Sequence, residues 1–259
     1  MVYEFSNFGT MQNYFIKSGE NLSFYEHMHN SFELFLVLEG ETIVTVNEIE
    51  YILSAGEAVL IFPNQAHSFF SKRAKHTYLI FSQDLVKAFS SQVLYKIPKS
   101  NKFTPSKEIL NLLFKTGVND SLLKKKGGLY SLLSEFDETA EYIEKDRLNL
   151  RFLEKALEFV ENNFTGDCSL SNASSQLGYS YTYISKHFQK SFGISFNSFV
   201  NQYRISKACH LLKNSDLSVL ECSMECGYSS LYSFIRNFKA ICNVTPSEYR
   251  KKRPVIPLF

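Results

Sequence analysis

The sequence predicts an α+β fold: a β-rich N-terminal part, a helical linker, and an all-α C-terminal domain with two helix-turn-helix units. Three observations predict it. Between Phe15 and Phe81, short alternating apolar runs are broken by turn residues, the period-two signature of a sandwich or barrel. After Ser82 the apolar residues recur at helical spacing instead. From Leu170 to Tyr249 one helix-turn-helix pattern is written twice.

Taken in order, strands are expected over residues 33–38, 42–46, 49–53, 58–62 and 76–81, punctuated by Gly40 and Gly56, which makes residues 1–82 one domain. Residues 83–149 read as a helical linker. Leu85, Val86 and Phe89 form one short stripe, and Ile109, Leu110, Leu113 and Phe114 another. A break at 124–128 precedes a longer stripe of Leu129, Leu132, Leu133, Phe136, Ala140 and Ile143. That stripe must be buried, either against its own β-domain or against a second copy of the chain, which makes the linker a candidate dimerisation region. A polar connector at 144–149 leads into the C-terminal domain, 150–253. Its first helix, 150–164, turns Leu153, Ala156, Leu157 and Val160 inward.

In the repeat, an offset of 49 places Leu170, Ala173, Ser174, Leu177, Gly178, Tyr179 and Ser180 on Val219, Cys222, Ser223, Cys226, Gly227, Tyr228 and Ser229. One extra residue then enters the second copy. With an offset of 50, Ile184, Lys186, Phe188, Gly193, Ile194, Ser195 and Phe199 fall on Phe234, Arg236, Phe238, Asn243, Val244, Thr245 and Tyr249. Each copy reads as a short apolar helix, a Gly-aromatic-Ser turn, and a second helix with a basic residue two places before a core Phe. A module of this layout puts its second helix into a DNA major groove.

Ser169 and Ser180 are expected N-caps, and Gly178 supplies the positive φ of a tight turn. In the first copy Ile184, Phe188 and Tyr181 are expected to face the core, leaving Thr182, Ser185, Lys186 and Gln189 outward. In the second, Phe234, Phe238 and Ile241 are core, and Leu231, Ser233, Arg236, Asn237 and Lys239 are available for contact. Between the copies, residues 196–212 read as one long helix anchored by Phe199, Tyr203, Ala208, Leu211 and Leu212. If it holds the modules about 34 Å apart, both second helices meet successive major grooves.

Charge agrees with this division. Residues 1–150 hold 15 Lys and Arg against 18 Asp and Glu, whereas 151–259 hold 13 against 8, so the half with the repeat is the basic one. The closing Lys251-Lys252-Arg253 run suits phosphates or plain solvent rather than bases. No apolar run approaches the ~18 residues of a membrane span, and the first residues lack the pattern of a signal peptide, so a cytoplasmic location is expected. Five cysteines without metal-finger spacing read as core thiols, Cys222 and Cys226 among them.

On these motifs, residues 151–253 resemble the DNA-binding domain of the AraC/XylS family of transcription regulators, including its closing phrase, here Phe238-Lys239 and then Val244-Thr245-Pro246-Ser247-Glu248-Tyr249-Arg250. The resemblance implies base-reading residues at Thr182, Ser185 and Lys186 in the first recognition helix and at Leu231, Ser233 and Arg236 in the second. Lys239 joins them as a candidate contact. Ser174 and Ser223 stand where the family has Ala, and Asn243 where it has Gly. Asn accepts the left-handed conformation, so the turn is expected to survive. Leu231 is apolar at a position that is often polar, and contact with a thymine methyl is one substitute for hydrogen bonding there.

In the N-terminal half, His27-Met28-His29, Glu33, Gly40 and His67 resemble the motifs of the cupin barrel, with Gln65 where metal cupins have Gly. The resemblance implies a cupin-like effector-binding barrel. Phe24, His27, His29, Glu33, His67 and Tyr78 are its candidate effector residues, in an aromatic surround that adds Tyr25, Phe35, Phe62 and Phe69. No cofactor is expected; a metal on His27, His29, Glu33 and His67 is the lesser alternative. The implied protein is a homodimeric regulator of promoter DNA that senses a sugar or another metabolite, ahead of a fatty acid, and recruits or blocks RNA polymerase. It is not expected to be an enzyme. The alternatives are a metal-dependent cupin enzyme fused to a DNA-binding tail, and a dimeric regulator with no effector.

Overall fold

The computed structural model describes residues 2–3, 13–144 and 147–252, with no description of side chains at 2–3, 147–150 and 252. The element order is β1 (Val2–Tyr3), β2 (Tyr14–Glu20), β3 (Ser23–Met28), β4 (Ser31–Val46), β5 (Ile49–Ser54), β6 (Ala58–Ile61), β7 (His67–Ser82), α1 (Lys87–Gln92), β8 (Lys96–Pro98), β9 (Lys102–Phe103), α2 (Lys107–Phe114), α3 (Leu122–Thr139) and β10 (Tyr142–Glu144). Helices follow: α4 (Arg147–Asn163), α5 (Leu170–Leu177), α6 (Tyr181–Phe192), α7 (Phe196–Asn214), α8 (Val219–Glu225), α9 (Leu231–Cys242) and α10 (Pro246–Lys252). The described chain divides into two compact units, residues 13–144 in one and residues 147–252 together with 2–3 in the other.

The N-terminal unit is a cupin-like barrel built on two 16-residue strands, β4 and β7, paired antiparallel along their length. β4 also pairs with β5 and β6, and β7 with β2 and β3. Residues 31–37 of β4 are all buried because the strand is covered on both faces. Phe35 and Val37 join Val44, Val46, Leu53, Val59, Ile61 and Phe69 in one core. Phe32, Leu34 and Leu36 lie in another, with Leu60, Phe62 and Phe81 and the apolar residues of the helices that follow.

The sequence treats Gly40 as the end of a strand, yet β4 runs through it. Its φ is +78°, the register with β7 shifts on either side, and a β-carbon there would stand 2.0 Å from the Arg73 carbonyl oxygen. One irregular residue in a period-two strand exchanges its faces. Accordingly the odd residues Phe35 and Val37 face the same core before the glycine as the even residues Val44 and Val46 do after it.

The expected separate linker is instead part of the N-terminal unit. Leu85, Val86, Phe89, Leu113, Leu129, Leu132, Leu133 and Phe136 share one core with β4 and β7, so the stripe is spent within its own subunit. The break at 124–128 is also absent. α3 starts after the N-cap Ser121 and continues through Gly127 and Gly128, because the buried leucines beyond outweigh the helix cost of two glycines, about 1 kcal/mol each. It stops at Thr139. Ile143 lies in β10, paired with Ile97, rather than on the helical stripe.

In the C-terminal unit, Ser169, Ser180, Ser195 and Ser218 each cap a helix through the side-chain oxygen, and Glu221 completes a capping box with Ser218. Gly178 and Asn243 end their helices in the left-handed conformation, as expected, and Gly193 does the same for α6. α7 is the shared spine, about 28 Å long at 1.5 Å per residue. Toward its start, Phe199 packs edge-on against Phe188 of α6. Toward its end, Ile205, Ala208, Cys209 and Leu212 join Cys222, Cys226, Phe234, Phe238 and Tyr249 in one core. Cys222 and Cys226 are fully buried, and burial pushes the Cys226 thiol up to about 12, as suits core thiols.

Candidate nucleic-acid interface and barrel histidine cluster

The two second helices of the repeat, α6 and α9, are both 12 residues long and begin and end at positions 50 apart. Their N-cap positions are Ser180 and Ser230. Their buried positions are Ile184, Phe188 and Phe192 in one, and Phe234, Phe238 and Cys242 in the other. Lys186 and Arg236 occupy the same place and are both exposed. Thr182 and Gln189 are exposed beside Lys186, and Ser185 is half-buried. Tyr181, expected in the core, is instead 59% exposed: as the first residue of the helix it precedes the inward stripe.

On α9 the outward face differs from the expected one. Lys239 is exposed as anticipated, and Leu231 at the helix start is 37% exposed. Ser233, however, is half-buried at the position equivalent to Tyr183, on the flank of the helix. Tyr232, Ile235, Arg236, Lys239 and Ala240 line one shallow depression, and Tyr232 is 75% exposed. Tyr232 and Ile235 are the residues that sequence reasoning missed. Applying the offset of 50 to Thr182 and Ser185 would have found them. Lys251 is exposed, and Arg253 lies outside the described residues.

Arg204 of α7 ties the second module to the first. Its Nε donates to the Phe164 carbonyl at 2.7 Å, and its guanidinium lies 5.5 Å from the Tyr228 ring centre. The Tyr228 hydroxyl in turn donates to Asn201 Oδ1 at 3.0 Å. Arg250 of α10 donates to the carbonyls of Leu212 and Leu217, fixing the end of α7. These bonds tie α7 to the segment after α4, to the turn at Tyr228 and to α10.

In the barrel, β3, β4 and β7 bring together His27, His29, Glu33 and His67, all buried, with one ligand atom from each within 4.8 Å of the others. Among the described residues no other group of His, Cys, Asp and Glu converges in this way. Phe24 packs edge-on against His27 at 4.5 Å and Phe69 lies 5.6 Å from His67, so the aromatic surround is partly as expected. Phe62 departs from it, packing with Phe32, Phe89 and Phe136 in the other core. Tyr78 is half-buried beside Phe15 and His76, and Tyr25 is 52% exposed.

Gln65 and Asn101 support the cluster. The Gln65 side-chain carbonyl accepts from the Phe62 N–H at 2.8 Å and from Asn101 Nδ2 at 2.7 Å, which holds the turn that delivers His67. Asn101 carried no signal in the sequence, being distant from every motif.

The hydrogen-bond inventory of the cluster is short of protons. His29 places Nδ1 3.2 Å from the Ser31 carbonyl and Nε2 2.9 Å from Glu33. His67 places Nδ1 2.9 Å from the Gln65 carbonyl and Nε2 3.4 Å from Glu33. Burial holds His27 and His29 below the usual imidazole range, and a neutral ring has a single N–H for two acceptors. Burial alone would raise Glu33, but its bonds with His29 and His67 outweigh this and keep the carboxyl far below its usual range. At 3.4 Å the contact of His67 Nε2 with Glu33 is a long ion-pair contact and lacks the geometry of a hydrogen bond. A cation among the four side chains removes the conflict, because each Nδ1–H then stays on its carbonyl while each Nε2 lone pair turns to the ion. The residues therefore fit a divalent transition metal.

The chain joins a barrel to a doubled helix-turn-helix, and comparison with known proteins finds the same two domains. A helix-turn-helix domain model matches residues 173–252, and a cupin domain model matches residues 15–81. An uncharacterized HTH-type transcriptional regulator of Staphylococcus aureus (strain COL) is 36% identical over 109 residues, 42% of this chain but only 15% of the relative's length. The Msm operon regulatory protein of Streptococcus mutans is 23% identical over 252 residues, covering 91% of this chain and 90% of that one. The solved structure of ToxT from Vibrio cholerae shares the fold, with a TM-score of 0.63 at 18% identity over 93% of this chain and 98% of that chain. The chain therefore carries a cupin domain followed by a helix-turn-helix domain, the pair of domains that the resemblance to AraC/XylS regulators implies. Among the described residues no helix is long and apolar enough to cross a membrane.

Proposed function

We propose that this chain is a cytoplasmic, sequence-specific DNA-binding transcription regulator whose two recognition helices, α6 and α9, enter successive major grooves of a promoter. One observation carries the reading: the helices share length, left-handed C-caps, core positions and an exposed basic residue, Lys186 or Arg236, and both are seated on the single helix α7. Thr182, Ser185 and Lys186 serve the first groove, and Arg236 and Lys239 the second. Selection of duplexes from a randomised library with the full chain tests this. Enrichment of a two-part site about one helical turn across supports the reading, and failure to enrich any sequence ends it.

The N-terminal barrel is the sensing part. A solved ToxT structure holds an unsaturated fatty acid, which supports a small-molecule role for this fold as well. Here His27, His29, Glu33 and His67 would hold a divalent metal, and the metal would supply a Lewis-acidic centre for an oxygen ligand. A ligand that favours one arrangement of the barrel shifts DNA binding by no more than its differential affinity. Pairing of two copies belongs to the same reading, through the apolar residues left exposed at Leu112, Phe114, Val118 and Leu123, and DNA-bound protein would recruit or block RNA polymerase.

A further inference from the structure

The register of the two recognition helices shows that they do not present the same chemistry. Thr182, Ser185, Lys186 and Gln189 in α6 are replaced in α9 by Tyr232, Ile235, Arg236 and Lys239. The first face is a row of hydrogen-bonding groups. The second keeps the basic side chain but carries an aromatic and an aliphatic residue where the first has two hydroxyls. Tyr232 is 75% and Ile235 37% exposed, and they line one depression with Arg236 and Lys239.

An exposed Ile on a face otherwise built for a polyanion needs an apolar partner. In the major groove only one base supplies it, through the C5-methyl group of thymine. Pressed against any other base edge, Ile235 would strip water from donors and acceptors it cannot satisfy. We propose that the two helices divide the reading of DNA: α6 reads hydrogen-bonding edges, while α9 selects thymine methyl groups through Ile235, with the Tyr232 ring closing the contact and Arg236 and Lys239 holding the strands. This rests on the DNA-binding reading above. It also moves apolar recognition from Leu231, the first residue of the helix, to the centre of its outward face.

The test uses the full chain and a duplex enriched from the randomised library. Each thymine is replaced in turn by deoxyuridine, which removes the methyl and leaves base pairing intact. The expected result is that one or two positions, all in the half of the site bound by α9, weaken binding about fourfold each, the weight of one buried methyl group. Ile235→Ala should bind the thymine and uracil duplexes equally, and Ile235→Val should keep the preference. Melting curves confirm that the variants are folded. Equal binding of both duplexes by the unaltered chain, or a preference that survives in Ile235→Ala, overturns the division of labour while leaving DNA binding in place. A library from which nothing enriches removes the DNA-binding reading itself, and this inference with it.

Discussion

Gly227 lies against the carbonyl of Phe164: a β-carbon built on it would stand 2.3 Å from that oxygen, and its φ is +75°. The turn of the second module is thereby seated on the segment that follows α4, where Arg204 also donates to the same carbonyl. Gly178, the equivalent turn residue of the first module, has a similar φ of +71° but nothing within 4 Å of a built β-carbon. Gly178→Ala should therefore cost only the left-handed strain, about 1 kcal/mol. Gly227→Ala adds a backbone clash and should lower the melting temperature by considerably more. Equal melting shifts for the two variants would show that the turn moves away freely.

Lys186 and Arg236 allow a direct separation of base from phosphate contact. If each pairs with a base, Lys186→Ala or Arg236→Ala should cost about 1–3 kcal/mol on the selected duplex and far less on random DNA. Titrations on both duplexes at two salt concentrations check this. An equal loss on both, with a shallower salt dependence, identifies a phosphate contact instead.

The C-terminal unit was legible because its signals are local. Caps at Ser169 and Ser180, the left-handed Gly178, and core positions at Ile184, Phe188, Phe234 and Phe238 follow from residue type and spacing, and the left-handed Asn243 from the family resemblance. Tyr181 was misplaced because helical periodicity does not fix where a helix begins. The barrel was less legible. A stretch buried on both faces, such as 31–37 of β4, loses its alternation, and the irregular segment around Gly40 looks like a turn when the partner strand β7 is unknown. The partners of the histidine cluster were legible as motifs, but the support from Asn101 depends on a contact 36 residues from Gln65. The fate of the 129–136 stripe was a choice between two surfaces, which only tertiary packing decides.

Leu133 and Leu123 sit ten residues apart in α3 with opposite surroundings, 1% and 82% exposed. Leu133→Asp puts an unpaired charge into the core shared with β4 and β7, and should unfold the N-terminal unit rather than yield folded monomers. Leu123→Asp should leave the melting temperature nearly unchanged and lower the sedimenting mass if the exposed apolar residues pair two copies. An unchanged mass for folded Leu123→Asp places any dimer contact elsewhere.

The barrel cluster gives a stability profile whose sign can be worked out. In metal-free protein His27 and His29 have folded pKa values below the unfolded value of 6.5, and Glu33 has one below 4.5. Each group then contributes stability that is complete above its unfolded pKa and is lost as pH falls, because the unfolded chain takes up protons that the folded site refuses. Urea midpoints of EDTA-treated protein should fall from about pH 6.5 downward, and continue to fall below pH 4.5 as Glu33 enters. A midpoint that instead rises between pH 7 and 6 would mean that a buried imidazole is charged, and that a proton, not a metal, balances Glu33. Elemental analysis of freshly purified protein supplies the companion measurement. One equivalent of zinc, manganese, iron or nickel is expected, lost in His29→Ala and Glu33→Gln, with the urea midpoint at pH 7 raised when the ion is restored. Metal retained in both variants would place it away from this cluster.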